Sequence, residues 1–492
     1  MNGKSTAALF FGLFIHITCS PILNFRSSTS GINITEGAGL VLSNKIQDCQ
    51  GKVTKATGAS ISGREIVFNK GTFVDGNNRM KIAGTYRTGD ANKILLNGNE
   101  SFRGGGISVA QAIEVRNGNN RLEGEILLSN NLVLHDSNAS VTCAITRSLA
   151  QDIELNGGTL YLEENLSFID DKKIVGNGTI VCNARKIILG AKEMSWNGSI
   201  YFDNGNDIEL KSTLHLCQTW TFSGYNSTIV GNGNILMLEP HGKIVVERGA
   251  NLLLKNMVIQ NVALRNIRCL DGAGKIIFQD VVLVQNDDFI FDKGSFDVYG
   301  SLDLISGYTF VFQPTAECTI QSASTLALSN NVTLSVDFIT TRTDLLAFAD
   351  SSAALRLKNS TLYVTPTGIQ LKNGSLIFDG VCNIYATDKR NVSKGVTIGS
   401  GQNADDCTME IRSGAWVNLI NGTLIYRNIN PNALIFKNSL SVLQIDTLAL
   451  LKLNQPFDVD PGKIRIAGAS SVVQDGLDYL QGSVEFFIES SL

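Results

Sequence analysis

Apolar and polar residues alternate in short bursts along this chain, and the bursts repeat. Gly249–Asn256 reads GANLLLKN: a small-residue turn, then Leu252 and Leu254 on one face, then Asn256. The phrase returns as ASTLALSN at Ala323–Asn330, SAALRLKN at Ser352–Asn359 and GAWVNLIN at Gly414–Asn421. A period of two over a few residues predicts a strand with one buried face. Such a strand cannot bury that face alone, and repetition supplies the next copy as its partner. Similar strands are expected at Ile66–Phe68, Met80–Ile82, Ile94–Leu96, Ile113–Val115, Ile126–Leu128 and Leu132–Leu134, separated by Asn/Gly turns. No segment sustains the 3.6-residue apolar period of a helix.

Longer repeats set the spacing. DIELNGGTLYLEENLSF at Asp152–Phe168, followed by IVGNGTI, matches DIELKSTLHLCQTWTF at Asp207–Phe222, followed by IVGNGNI. These copies lie about 55 residues apart and other pairs about 74 apart, both near multiples of 18. The predicted fold class is all-β: a parallel β-helix, right-handed, with three short strands and about 18 residues per coil plus insertions. Leu252, Leu254, Leu326, Leu328, Val417 and Leu419 are expected to point inward. Residues 1–20 read as a signal peptide, 21–39 as an irregular segment, 40–450 as the stacked coils and 451–492 as a C-terminal cap. In the signal, Lys4 precedes the apolar run Ala7–Ile17, and cleavage is expected near Cys19 or Ser20. Lipidation of Cys19 is the alternative. The expected location is extracellular or on a cell or outer-membrane surface, with no transmembrane helix in the mature chain.

Composition bears on partners and chemistry. Charged residues make up 17% of the 492 and the net charge is −4, so no basic field exists to hold a nucleic acid. The nine cysteines are far apart and form no CxxC pair, which argues for small buried core residues and against zinc or redox motifs. The GNG pieces at Gly176–Gly178 and Gly231–Gly233 lack the GxxxxGK[ST] frame and read as turns. DGNN at Asp75–Asn78 and DNGND at Asp203–Asp207 read the same way. No metal and no cofactor are expected. Asn-X-Ser/Thr triplets, among them those at Asn331, Asn359 and Asn421, are numerous, as an Asn-, Ser- and Thr-rich chain produces by chance.

The recurring GANLLLKN-type turns, the GNG turns and the export signal resemble the β-solenoid passengers of secreted bacterial adhesins and autotransporters. FRGGGIS at Phe102–Ser108 resembles the GG-I element of polymorphic outer-membrane proteins. The segment after Leu450 is too short for the terminal β-barrel of an autotransporter, so self-translocation is not expected. The resemblance implies an exported, non-catalytic, adhesin-like protein whose partner is a host glycan or surface protein. The alternative is a polysaccharide lyase or glycoside hydrolase, because right-handed β-helices include pectate lyases and polygalacturonases. Such an enzyme needs two carboxylates facing one cleft, within a groove where three or more acidic and basic side chains converge. Asp287 and Asp288 in QNDDF are the catalytic candidates, although EPHGK and KIRIAG stand in the wrong order for the polygalacturonase motifs. For binding, the polar insertion Ala386–Asp406 carries Asp388, Lys389, Arg390, Lys394, Asp405 and Asp406. Insertions in solenoids emerge laterally and often hold the partner.

Overall fold

The computed structural model describes residues 112–203, 205–338, 341–365, 367–386, 395–401, 406–430, 432–453 and 457–467. It adds isolated strands between Phe25 and Val109 and at Ser471–Gln474 and Leu480–Phe487. The signal segment and Asp388, Lys389, Arg390, Lys394 and Asp405 lie outside the described residues. The chain is a parallel β-solenoid of about 15 turns. Among the described residues there is no helix, and therefore none long and apolar enough to cross a membrane. Two compact units divide it, Met1–Thr221 and Phe222–Leu492.

In the first unit, each inward residue lies beside its equivalent from the neighbouring turn. Leu132, Ile153 and Ile174 form one ladder. Val141, Leu160, Ile180 and Phe202 form a second, and Leu166, Ile187 and Ile208 a third. All are buried. Trp196 and Phe202 each meet Trp220 edge to face, at 5.1 and 5.5 Å between ring centres. Strand pairing already begins in the segment expected to be irregular, at Phe25–Arg26 and Ile32–Ile34.

Three ladders can be followed through the second unit. One runs Leu254, Phe278, Val298, Ile320, Phe348. Another runs Leu304, Leu328, Leu357, Phe378, Ile411, Phe436. The last runs Phe310, Leu334, Leu362, Ile384, Leu419, Ile445, Ile466. Leu252, Leu254, Leu326, Leu328, Val417 and Leu419 all point inward, each no more than 1% exposed. Burying each such side chain contributes about 1.5–3 kcal/mol. The strands of 451–492, the segment expected to cap the end, continue the same pairing as far as Phe487.

The spacing differs from expectation. Leu132, Ile153 and Ile174 follow one another at about 21 residues rather than 18. Longer steps, such as Leu328 to Leu357 and Phe378 to Ile411, accommodate insertions. The two DIEL copies explain the discrepancy. Ile153 and Ile208 occupy different ladders, so their separation is not a whole number of turns. Leu254, Leu328 and Leu419 likewise lie in three different ladders. The recurring phrase is a single strand with its corner, and it fits any edge of the coil. Its offsets therefore count strands, not coils.

The corner explains the terminal asparagine. Asn256, Asn330 and Asn359 have φ of 49°, 59° and 48°. That left-handed conformation is open to Gly and, among side-chain-bearing residues, chiefly to Asn and Asp. Asn359 also reaches the next turn, where its Oδ1 accepts the N–H of Val381 at 3.0 Å. Gly380 sits beneath that amide at φ 72°, and a Cβ there would lie 2.1 Å from Asn359 Oδ1. Asp280 repeats the device over Gly300 and the N–H of Ser301.

Candidate binding site

Asp287 and Asp288 lie in the strand Lys275–Phe291, Asp287 exposed and Asp288 half-buried. Their carboxylates serve the backbone. Asp287 Oδ1 accepts the N–H of Asp288 at 2.8 Å, and Asp288 Oδ1 accepts the N–H of Thr309 one turn on, also at 2.8 Å. These bonds fasten a bend and tie two turns together, a structural use of both groups. Asp406, the described member of the insertion set, is buried. Its two carboxylate oxygens accept the N–H groups of Ser400, Gly401 and Cys407. It anchors the base of the insertion and faces no solvent partner.

Charged side chains do converge on one outward face of the second unit. Arg356 pairs with Asp379, and Arg412 bridges Asp379 and Glu410 at 3.9 and 3.4 Å. Lys437 closes the row on Glu410 at 3.2 Å. Signs alternate along this row, so each carboxylate has a cation beside it. Pairs exposed to this degree contribute about 0–1 kcal/mol each. Asp303 lies on the same face, two turns from Arg356 across Ala327. Partial burial pushes its carboxyl above the usual range, and the Arg356 charge opposes that shift without cancelling it. The Nε of Arg356 is buried without a partner among the described residues.

The neighbouring face has a different chemistry. Thr309, Thr333, Thr361, Asn383, Asn418 and Gln444 occupy one register across successive turns, all uncharged. A parallel row holds Ser335, Tyr363 and Tyr385. The rings of Tyr363 and Tyr385 lie 6.3 Å apart. Where this face turns the corner there is a concavity of about 390 Å³, lined among others by Asn330, Asn331, Asn359, Thr361, Val381 and Asn383. No charged residue lines it. Val381 is 57% exposed, an apolar floor open to solvent. Asn383 Oδ1 accepts the side-chain amide of Asn418 at 3.0 Å, linking two adjacent turns of the row. The side-chain amides of Asn330 and Asn331 make no hydrogen bond to described residues, while the Asn331 main-chain N–H donates to the Asn359 carbonyl at 2.7 Å.

This concavity was not singled out from sequence, although a signal was present. NVTLSV at Asn331–Val336 and NSTLYV at Asn359–Val364 repeat a corner Asn followed by an outward Thr. Both read as chance glycosylation triplets until the register places them on adjacent turns.

The thiols behave as core residues. Of the seven cysteines whose side chains are described, all are free and six are buried. Burial pushes Cys143 up to about 11 and Cys269 up to about 12. Among the described residues no group of three His, Cys, Asp or Glu is arranged to hold a metal ion.

These features define a parallel β-solenoid with an uncharged amide-, hydroxyl- and tyrosine-bearing lateral face. No known protein family, curated protein or solved structure matches the chain.

Proposed function

We propose that this chain is an exported, non-catalytic binding solenoid, an adhesin-like protein that meets a host or cell-surface partner through its lateral face. The observation that carries this reading is the uncharged face from Thr309 to Gln444 and its concavity. The amides of Asn330 and Asn331, the hydroxyl-bearing rows and the tyrosine rings there are not consumed by the fold. Asp287 and Asp288, the carboxylates singled out for chemistry, are by contrast spent on backbone N–H groups. A rigid stack of coils presents such rows at a fixed spacing of about 4.8 Å, which suits an extended partner. The test is a screen of the purified chain on immobilised glycans and on host-cell surfaces. Retention by at least one surface is expected. Failure to bind any of them, together with turnover of a polysaccharide, would reject the reading.

A second reading, a β-helix enzyme acting on polysaccharide, is favoured by one feature. Asp303 is a half-buried carboxyl biased toward its protonated form, on the face that also bears Arg356 and Glu410. A raised carboxyl can act as a general acid. This reading requires that Asp303→Asn abolish a measurable cleavage of polygalacturonate, pectate or a host glycan.

A further inference from the structure

Resting on the binding reading above, we propose that the corner concavity and its adjoining tyrosine row form a site for a neutral, linear oligosaccharide. The chemistry of the lining selects the class. A primary amide offers a donor pair and an acceptor on one small group, the complement of adjacent sugar hydroxyls. Asn330 and Asn331 present two such groups at one corner, Asn359 adds its amide donors while its Oδ1 holds the Val381 N–H, and Thr361 and Asn383 extend the polar row along the strands. Asn330, Asn331 and Asn359 are exposed and held in the left-handed conformation, which fixes where their side chains emerge. Little ordering is then needed on binding.

The apolar part of the surface fits the other side of a sugar. Tyr363 is 39% exposed, and Tyr385 follows it one turn on. Two rings 6.3 Å apart on an outward row offer consecutive platforms for the C–H face of a pyranose. The turn-to-turn rise of about 4.8 Å is close to the length of one sugar unit in an extended chain, so successive units meet successive turns. The concavity has no cation to pair with a uronate or sialate carboxylate and no anion to pair with an amine. A charged glycan would shed hydration there without compensation. The neighbouring charged row is already self-paired through Arg356, Asp379, Arg412 and Glu410.

The test is calorimetric titration of the full chain with cellohexaose, xylohexaose, mannohexaose and maltohexaose, with hexagalacturonate as the charged comparison. At least one neutral hexaose is expected to bind with Kd below the millimolar range, and hexagalacturonate at least tenfold more weakly. Tyr363→Ala removes a platform, and Asn331→Gly removes an amide while keeping the backbone conformation. Each should weaken the hexaose about five- to tenfold with an unchanged melting temperature. Tyr225→Ala, an 80% exposed tyrosine in another part of the chain, should leave Kd unchanged. The site is refuted if no neutral hexaose binds at millimolar concentration, if hexagalacturonate binds better, or if neither variant alters Kd. If the hexaoses fail while the chain is still retained on host-cell surfaces, the site falls and the binding function stands. A hexaose recovered shortened overturns the binding function itself, while the response of Kd to Tyr363→Ala still decides the site.

Discussion

Gly380→Ala probes the corner on which both the fold and the proposed site depend. Two costs can be worked out separately. At φ 72° an alanine enters the left-handed region, at about 1 kcal/mol. Its Cβ would also stand 2.1 Å from Asn359 Oδ1 and 2.9 Å from the Cγ of that residue. The obstacle is a side chain, so Asn359 can swing away, but doing so breaks its bond to the Val381 N–H. That loss adds about 1 kcal/mol, for a total near 2 kcal/mol. Asn359→Gly keeps the backbone conformation and loses only the bond, about 1 kcal/mol. The double variant should then be no less stable than Gly380→Ala alone, because the bond is lost once in either case. The expected coupling is about 1 kcal/mol in favour of the double variant. Local hydrogen exchange across Ser375–Ala386 reads this directly and does not require the whole solenoid to unfold in one step. Costs that simply add would refute the argument, since they would mean that Asn359 is not what excludes a Cβ at position 380.

Leu254→Asp, at a fully buried position, should destabilise the second unit by about 3 kcal/mol or more, read as a lower thermal midpoint. Asp288→Ala should cost about 1 kcal/mol by orphaning the N–H of Thr309, with no effect on partner binding. The Asp303 carboxyl has a raised folded pKa, so the folded state binds more protons between the unfolded and folded values. Its contribution to stability therefore falls as pH rises through that window, and Asp303→Asn should raise the melting temperature at pH 7 but not at pH 3. Native thiol labelling at pH 7.5 should leave the buried Cys143, Cys182, Cys269, Cys318, Cys382 and Cys407 unmodified until denaturant is added.

The stacked-strand architecture was legible because its cause is local. Alternation at Leu252–Leu254 and Leu326–Leu328 states which side chains are buried, and repetition states what buries them. The coil length was not legible, because a strand-sized phrase serves three ladders and leaves no mark of which one it occupies. Leu254 and Leu419 look equivalent in sequence and stack on unrelated neighbours. The site was hidden for a related reason. Thr333, Thr361 and Asn383 become one row only through the register, after insertions of unequal length are absorbed. Carboxylates draw attention in a sequence, yet Asp288 and Asp406 turned out to be bound to backbone N–H groups. Such bonding depends on three-dimensional neighbours that no spacing rule reports.

Binding without turnover is decided by recovering the ligand. The purified chain is incubated with a glycan or cell-surface fraction that it retains, the complex is dissociated, and the ligand is weighed by mass spectrometry before and after. The ligand is expected back at unchanged mass and is released more readily from Tyr363→Ala. Shortened ligand whose appearance stops in Asp303→Asn, or in Asp287→Asn, would contradict it.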